Sequence, residues 1–421
     1  MAPELTVLLP VLDEAINLET LLPAIHAVAR RLEVEYEILV VDGGSQDGSR
    51  ETAFAHGARV LPQESHGYGG ALRDGMAAAR GRYVLTMDSD LSHDPIIITQ
   101  LMAARSSADV IVASRYIPGG GGDMPRSRYL LSRVLNTVFR VLLSLQVHDV
   151  SSGFWLYRRE VFREVEITRR NFDVLEEILV KVIARGYRLR ELPFHYKPRG
   201  AGASHARLWA FGKAYLRTLW QMWKLRNSIS SADYDYRAYF SRHPYQRFWQ
   251  RRRFAAITRL SEYPARILDV GCGSSYMLTA FPQAVAVDVL FHKLRFDRDM
   301  ANRRVNASIF ALPFPGGHFD EVICSQVIEH VSAEPVVLDE LVRVLRPGGA
   351  LILGTPDYGH WQWRWIERIY ARVNPVGYAD EHITHYTYAS LAEELERRGL
   401  SIEAHRYIQK AELILKARKK A

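Results

Sequence analysis

Short apolar, β-branched runs recur along the first part of the chain: LTVLLPVL from Leu5, YEILVVD from Tyr36, GARVLP from Gly57, RYVLTMD from Arg82 and DVIVASRYI from Asp109. Turn residues bound each run, and amphipathic stretches such as NLETLLPAIHAVARRL lie between them. That alternation predicts a mostly parallel sheet covered by helices, an α/β architecture. In such sheets ligands bind at the carboxyl ends of the strands. The pattern then restarts. ARILDVGCGSS, from Ala265, is an apolar strand entering a glycine turn, and AVAVDVL ends a second strand at Asp288. Two such openings predict two domains, 1–228 and 263–421, joined by a linker and helical lead-in over 229–262.

Composition leaves that picture standing. The chain has 421 residues, 48% hydrophobic and 24% charged, enough for two cores. Cys272 and Cys324 are the only cysteines, without metal-ligand spacing, which predicts a cytosolic, disulfide-free protein. MAPELTVLLP lacks the basic start of a signal peptide, and no uncharged apolar run is long enough to span a bilayer.

Charge does change the picture. Residues 1–100 carry 7 Lys/Arg against 15 Asp/Glu, whereas residues 101–230 carry 22 against 10. YLLSRVLNTVFRVLLSLQV (129–147) has apolar residues at helical spacing, and RLWAFGKAYLRTLWQMWKLR (207–226) carries Trp209, Trp220 and Trp223 among basic residues. Basic, tryptophan-bearing amphipathic helices suit the headgroup boundary of an anionic membrane. The competing reading packs both helices on the sheet, with the arginines solvated. No nucleic-acid-binding module accompanies the charge, so nucleic acid is not an expected partner.

Acidic residues cluster where the first strands end: Asp13 and Glu14, Asp42, and Asp88 with Asp90 in TMDSDLSHD. Two carboxylates one residue apart can share a hard divalent cation, Mg2+ or Mn2+, that offsets charge on a departing diphosphate. An ordinary Asp/Ser turn is the alternative. The stretches LLPVLDE, VVDGGSQDGS, GYGGALRDGM, MDSDLSHDP, ASRYIPGG, DVSSGFWLYRREV and PRGAGASH occur in order over residues 5–225. This part resembles a family 2 glycosyltransferase of GT-A fold, and within it the dolichol- or polyprenol-phosphate mannose and glucose synthases. The resemblance implies that Asp42 reads the nucleotide base, Pro10 and Glu14 help hold the nucleoside, and Asp88 with Asp90 bind the metal diphosphate. Asp90, Arg115 and Arg199 would be catalytic, the two arginines facing phosphate. Ser92 stands where the closest relatives often carry Gln, and His205 where they carry Lys. The Q-x-x-R-W stretch of processive synthases is missing, and Glu176 and Glu177 fall in a helical pattern as structural residues. Those features favour transfer of one sugar to a phosphate, whose second pKa near ~6 makes its oxygen a nucleophile at neutral pH.

The second opening continues with ALPFPGGHFDEVICSQVIEHV, LDELVRVLRPGGALILGTP and EHITHYTYASLAEELERRGL. Residues 264–405 resemble a class I S-adenosylmethionine-dependent methyltransferase with a Rossmann-like sheet. The resemblance implies that Asp269, Gly271 and Gly273 line the methionine end of the cofactor and that Asp288 binds its ribose. Ser275 replaces a frequent third glycine, and Ser308 stands where relatives often have Asp. His330, His382 and His385 are candidate bases for a sugar hydroxyl, His382 foremost because it lies in a turn-rich segment before the final helix. The expectation is a bifunctional enzyme, peripheral on the inner face of the membrane, in cell-envelope glycan synthesis. Its first half would carry out inverting sugar transfer from a nucleotide-sugar to a polyprenyl phosphate, and its second half would methylate that sugar or a later glycan. The alternatives are transfer to a glycan or glycolipid hydroxyl, or one half serving only as a binding module.

Overall fold

A computed structural model describes residues 2–200, 212–373 and 382–421, and the chain divides into two units, Met1–Arg226 and Asn227–Ala421. In the first unit the strands are β1 (Leu5–Val11), β2 (Tyr36–Asp42), β3 (Arg59–Pro62), β4 (Tyr83–Thr86), β5 (Val110–Ser114), β6 (Gly121–Gly122), β7 (Trp155–Arg158), β8 (Leu189–Pro193) and β9 (His195–Tyr196). Seven make one sheet in the order β3-β2-β1-β4-β7-β5-β8, and β6 pairs with β9 apart from it. All pairs in the large sheet are parallel except those of β7. The period of two is visible in β1: Leu5, Val7, Leu9 and Val11 join one core and Leu8 the other. Leu18, Leu21, Leu22 and Ile25 of the helix Ala15–Arg31 cover the first face, and the helices Gly67–Ala78 and Val174–Ala184 cover the second.

The helix foreseen over 129–147 runs instead from Arg126 to Leu142. Ser144 takes a left-handed φ of 51°, and Leu143, Leu145 and Val147 turn into the core. The helix leaves Leu130, Leu131, Val134, Leu135, Val138, Val141 and Leu142 exposed, while Asn136 and Phe139 face inward. No described helix is long and apolar enough to cross a membrane.

The second unit holds β10 (Ile267–Val270), β11 (Val285–Asp288), β12 (Arg303–Asn306), β13 (Phe319–Ser325), β14 (Leu345–Pro356), β15 (Leu400–Ile408) and β16 (Glu412–Lys419). Their order is β12-β11-β10-β13-β14-β16-β15, and only the pairs involving β16 are antiparallel. Part of the segment before this sheet is the helix Pro244–Leu260, which buries Trp249, Ala256, Ile257 and Leu260 against Ile267, Ile323 and Ile352.

Glu177 shows how tightly the first unit is tied. It is fully buried and accepts the backbone N–H groups of Thr168 (3.0 Å) and Arg169 (2.9 Å) and the Lys181 ammonium (2.8 Å). Burial works against its charge, yet the bonds from Lys181 and Thr168 win and hold its pKa below the ordinary 4.5. Glu177→Ala is expected to lower unfolding free energy by about 2–3 kcal/mol, because two backbone donors lose a charged acceptor. The folded-state pKa is depressed, so this contribution is present above the unfolded value and is lost as pH falls through the folded one. Urea unfolding of wild type and variant at pH 7 and below pH 4 measures both; a difference that does not shrink in acid contradicts the assignment.

Candidate functional sites

At the carboxyl edge of the first sheet, Val11 at the end of β1 pairs with Asp42 at the end of β2. The loops that follow are stitched together: Gln46 N–H donates to Asp13 Oδ1 (2.8 Å), Glu14 N–H to Ser49 Oγ (2.9 Å), and Ala15 N–H to Asp47 Oδ2 (2.9 Å). Ser89 Oγ donates to the carbonyl of Pro10 at 3.1 Å, which ties the loop after β4 to β1. Asp42 is buried and accepts from Gly44 N–H (3.1 Å), Ser45 N–H (3.2 Å) and the Arg50 guanidinium. Burial opposes its ionisation, but the bonds from Ser45 and Arg50 hold it below the usual carboxylate range.

Arg199 joins the remaining acids. Its Nε donates to Asp90 Oδ2 at 3.0 Å and its Nη1 to Glu14 Oε1 at 3.4 Å. Asn17 donates to the other oxygen of Glu14. Asp90 also accepts Ser92 N–H at 3.1 Å and the Ser92 hydroxyl, so the serine at the altered position turns onto Asp90. Asp88 is the more open of the pair, with a side chain 34% exposed. Tyr68 donates to Asp88 at 3.3 Å, and His93 Nε2 stands 3.7 Å away. Burial pushes Asp88 up, and the charge of Asp90 pushes the same way. A cation between the two carboxylates would relieve that repulsion, and all-oxygen donors suit Mg2+ or Mn2+. A Cβ on Gly153 would meet Tyr68 Oη at 2.9 Å and Asp88 Oδ1 at 3.2 Å, so the glycine of S-S-G-F leaves the space beside Asp88.

Arg115 sits differently from Arg199. Its Nε and Nη2 reach Asp149 at 2.8 and 2.7 Å, and Nη2 also reaches Ser151 Oγ at 2.9 Å. Its guanidinium is thus committed to a buried aspartate, whereas that of Arg199 lies on the acidic pair. His205 and Trp209 lie outside the described residues.

In the second unit a cleft of about 390 Å3 opens at the end of β10 and β11, lined by Asp269, Gly271, Gly273, Asp288 and Ser308 among others. Asp288 accepts Gly273 N–H at 2.9 Å and Leu290 N–H at 2.8 Å, which shapes the glycine turn. Gly271 has φ +69°, and a Cβ there would lie 2.2 Å from Val327 Cγ2. Any side chain there would strain the backbone and have to displace Val327. Ser275, in place of a third glycine, caps the turn Tyr276–Thr279 by accepting Met277 N–H at 3.1 Å. Burial, helped by Asp288, pushes Asp269 up to about 7. His330 lines the cleft; His382 lines a smaller cavity of about 90 Å3 with Tyr245, Trp249, Trp363 and Glu367. The two cavities share Gln250, Arg253 and Gln326, and the His330 and His382 rings lie 4.9 Å apart. His385 stacks on Tyr358 at 4.0 Å and lines neither cavity.

Sequence reasoning missed Asp149, Tyr68 and Asn17 in the first unit, and Asp235 and Lys293 in the second. Asp149 stood inside a quoted stretch, DVSSGF, where the commitment of Arg115 could have suggested an acid partner. Asp235 carried no signal: it comes from the short helix Tyr234–Tyr239, accepts Ser274 N–H at 3.2 Å and pairs with Lys293 at 2.8 Å in the wall of the cleft.

Residues 6–166 match the family model of glycosyl transferase family 2, and residues 242–405 match that of a methyltransferase domain. A polyprenol monophosphomannose synthase of Mycolicibacterium smegmatis is 32% identical over 213 residues, 47% of this chain and 79% of that protein. A dolichol-phosphate mannosyltransferase of Pyrococcus furiosus is 31% identical over 238 residues, 54% of this chain and 65% of that protein. A glucosyl-3-phosphoglycerate synthase of Mycobacterium tuberculosis, solved with Mn2+ and UDP, superposes with a TM-score of 0.42 at 22% identity, covering 52% of this chain and 80% of that one.

The pair Asp235–Lys293 generates a test. Lys293 is 7% exposed, so Asp235→Ala strands a buried cation and should destabilise the protein by about 3–5 kcal/mol. Adding Lys293→Met should recover most of that loss. Thermal unfolding of the two variants decides it: a double variant no more stable than the single one would mean the pair is not the source.

Proposed function

The chain belongs to glycosyl transferase family 2 and carries a methyltransferase domain in its second half; from that premise we propose two transfers on one polypeptide. The first unit moves a sugar from a nucleotide-sugar to a polyprenyl phosphate, with inversion, at the inner face of a membrane. The second methylates a hydroxyl of that sugar or of a later cell-envelope glycan, using S-adenosylmethionine. The observation that carries the first reading is Arg199 lying across Glu14 and Asp90 at the strand ends, with Asp42 ending one neighbouring strand and Asp88 following another, in a unit that also exposes an apolar helix face.

In this reading Asp42 meets the base, Pro10 and Glu14 the nucleoside, and Asp88 with Asp90 hold Mg2+ or Mn2+. When bound, the cation offsets charge on the departing diphosphate. Arg199 stands beside that pair to meet phosphate oxygens, whereas Arg115 would reach phosphate only by giving up part of its pairing with Asp149. The acceptor phosphate oxygen forms the new bond to the anomeric carbon as the bond to the diphosphate breaks on the opposite face. A phosphate needs no base to become a nucleophile. Glu176 does not supply one: it is buried in the core helix Val174–Ala184. In the second unit Asp269, Gly271, Gly273 and Asp288 receive S-adenosylmethionine, and we assign His382 to the acceptor hydroxyl.

Two relatives carry names that specify polyprenol and dolichol phosphate, and such lipids present their phosphate at a bilayer surface. The exposed Leu131, Val134, Leu135 and Val138 suit that surface, as does Trp220, whose ring lies under Lys224 at 5.1 Å. Trp223 stacks on Trp220 at 5.3 Å and packs partly on the core.

Incubating the purified chain with labelled nucleotide-sugars and short polyprenyl phosphates tests the reaction. Asp90→Ala should reduce sugar transfer by about 100-fold or more while leaving S-adenosylmethionine binding intact; an active variant would remove Asp90 from the chemistry. For the surface, sedimentation with anionic vesicles should weaken with added salt, and Val134→Glu with Val138→Glu should abolish it. Equal sedimentation of wild type and double variant at every salt concentration would exclude this face as the contact.

A further inference from the structure

We infer that Glu329, His330 and His382 form a binding site for a divalent transition-metal ion, set between the methyl-donor cleft and the smaller aromatic cavity. One donor atom from each of the three lies within 4.8 Å of the others. The backbone holds them together. Glu329 and His330 occupy the turn Ile328–His330 that follows β13, and the segment bearing His382 is clasped onto it. Ile383 N–H and Thr384 N–H both donate to the Glu329 carbonyl, at 2.8 and 3.1 Å, and Thr384 Oγ1 donates to the Val331 carbonyl at 2.6 Å.

The carboxylate is the second observation. Glu329 is 0% exposed, and neither of its oxygens has a hydrogen-bond partner among the described residues. A buried carboxyl group without a partner is costly, whereas a bound cation gives it one. Glu177, equally buried, shows what a satisfied carboxylate looks like in this chain.

The hydrogen bonds of His382 are the third. Tyr358 donates its hydroxyl proton to Glu367 at 2.8 Å, so the His382 Nδ1–H donates to the Tyr358 oxygen at 2.9 Å. That tautomer leaves the ring's lone pair on Nε2. A ring nitrogen bonded to an oxygen partner, fixing the other nitrogen for a metal, is the usual outer support of a ligating histidine. Trp363 stacks on the same ring at 5.7 Å and fixes its plane.

Two imidazoles and one carboxylate suit Zn2+, Fe2+ or Co2+ better than the hard cations that favour all-oxygen sites. Three protein ligands leave a position open, as in zinc sites that take a further oxygen. His330 lines the larger cavity and His382 the smaller one, and the proposed methylation would bring the acceptor hydroxyl to this region. A hydroxyl bound to a divalent ion loses its proton more readily. This role rests on the methyl-transfer reading; the binding itself does not.

Co2+ titrated into the chelator-treated full chain is the probe. One equivalent should produce the visible bands of an imidazole-ligated, low-coordinate ion, and Zn2+ should displace it. His382→Asn and Glu329→Gln should each weaken binding by more than about 100-fold, beyond the loss that removing an outer partner causes. Asp90→Ala, in the other unit, should leave the bands unchanged. Circular dichroism and thermal unfolding check folding, and His382→Asn carries the test if Glu329→Gln does not fold. Absence of the bands from wild type, or their persistence in His382→Asn, overturns the site. Calorimetry with S-adenosylmethionine is read separately, so a chain that binds Co2+ at these residues but not the methyl donor refutes the methyl-transfer reading and leaves the metal site in place.

Discussion

Like-charged carboxylates gathered at one edge of a parallel sheet repel each other, and each unit of this protein answers that repulsion with well-placed cations. In the first, Arg199 lies across Glu14 and Asp90, so the loops after β1 and β4 are held by one guanidinium. In the second, Lys293 pairs with Asp235 beside the glycine turn that Asp288 shapes. A parallel sheet forces this arrangement, because all its loops at the carboxyl edge point the same way and collect the acids that bind ligands. The planar fork of Arg can serve two carboxylates at once, whereas the point charge of Lys serves one. Each unit uses the cation that its geometry requires.

The same distinction separates the basic residues of the middle segment, which composition alone had grouped together. Arg226 is 1% exposed and donates to the carbonyl of Leu143, closing the end of the helix Arg126–Leu142. Arg169 and Lys181 face the buried acids Asp173 and Glu177. Those charges belong to the fold. What remains for an external partner is narrower: the outer face of one helix, mostly apolar but carrying the exposed Arg126 and Arg133, and the Trp220–Lys224 contact on another. An apolar stripe left uncovered costs solubility unless something covers it, and neighbouring basic side chains bias the covering surface toward negative charge.

Much of the scaffold was legible because β-branched runs bounded by turn residues encode strands directly. β1 to β5 fall within runs that the pattern singled out, and the glycine turn of the second unit follows β10 as the spacing required. β7 was not legible. Its antiparallel place between β4 and β5 depends on pairing with strands far away in sequence. The candidate site residues divide in the same way. Asp88, Asp90 and Asp288 stand next to strand ends and were visible; Asp235 and Lys293 reach the cleft from elements whose local pattern is only helical. Tertiary pairing placed them, and no local rule reports it. The helix Arg126–Leu142 ended earlier than its apolar periodicity implied, since periodicity cannot tell a helical turn from a chain reversal that buries the next leucines.

The two proposed acceptors make opposite demands, and the residues at each site follow that difference. A phosphate monoester is already ionised near neutral pH, so a transferase that uses it needs cations to pair with phosphate and nothing to remove a proton. The first candidate site fits that demand: acids proposed to hold a metal and nucleoside, Arg199 beside them, and His93 turned into the core between Phe154 and Phe194. A sugar hydroxyl holds its proton far more tightly, and methyl transfer to it requires help with that proton. His382 alone is a weak candidate as a base, since burial and the neighbouring His330 and His385 push it down to about 4. A general base works best with a pKa near the working pH. The same neutral imidazole is well suited to ligate an ion, and the ion, not the ring, would then lower the hydroxyl's affinity for its proton. The carboxyl group of Glu329, buried without a hydrogen-bond partner among the described residues and close to both imidazoles, is what such an ion would complete.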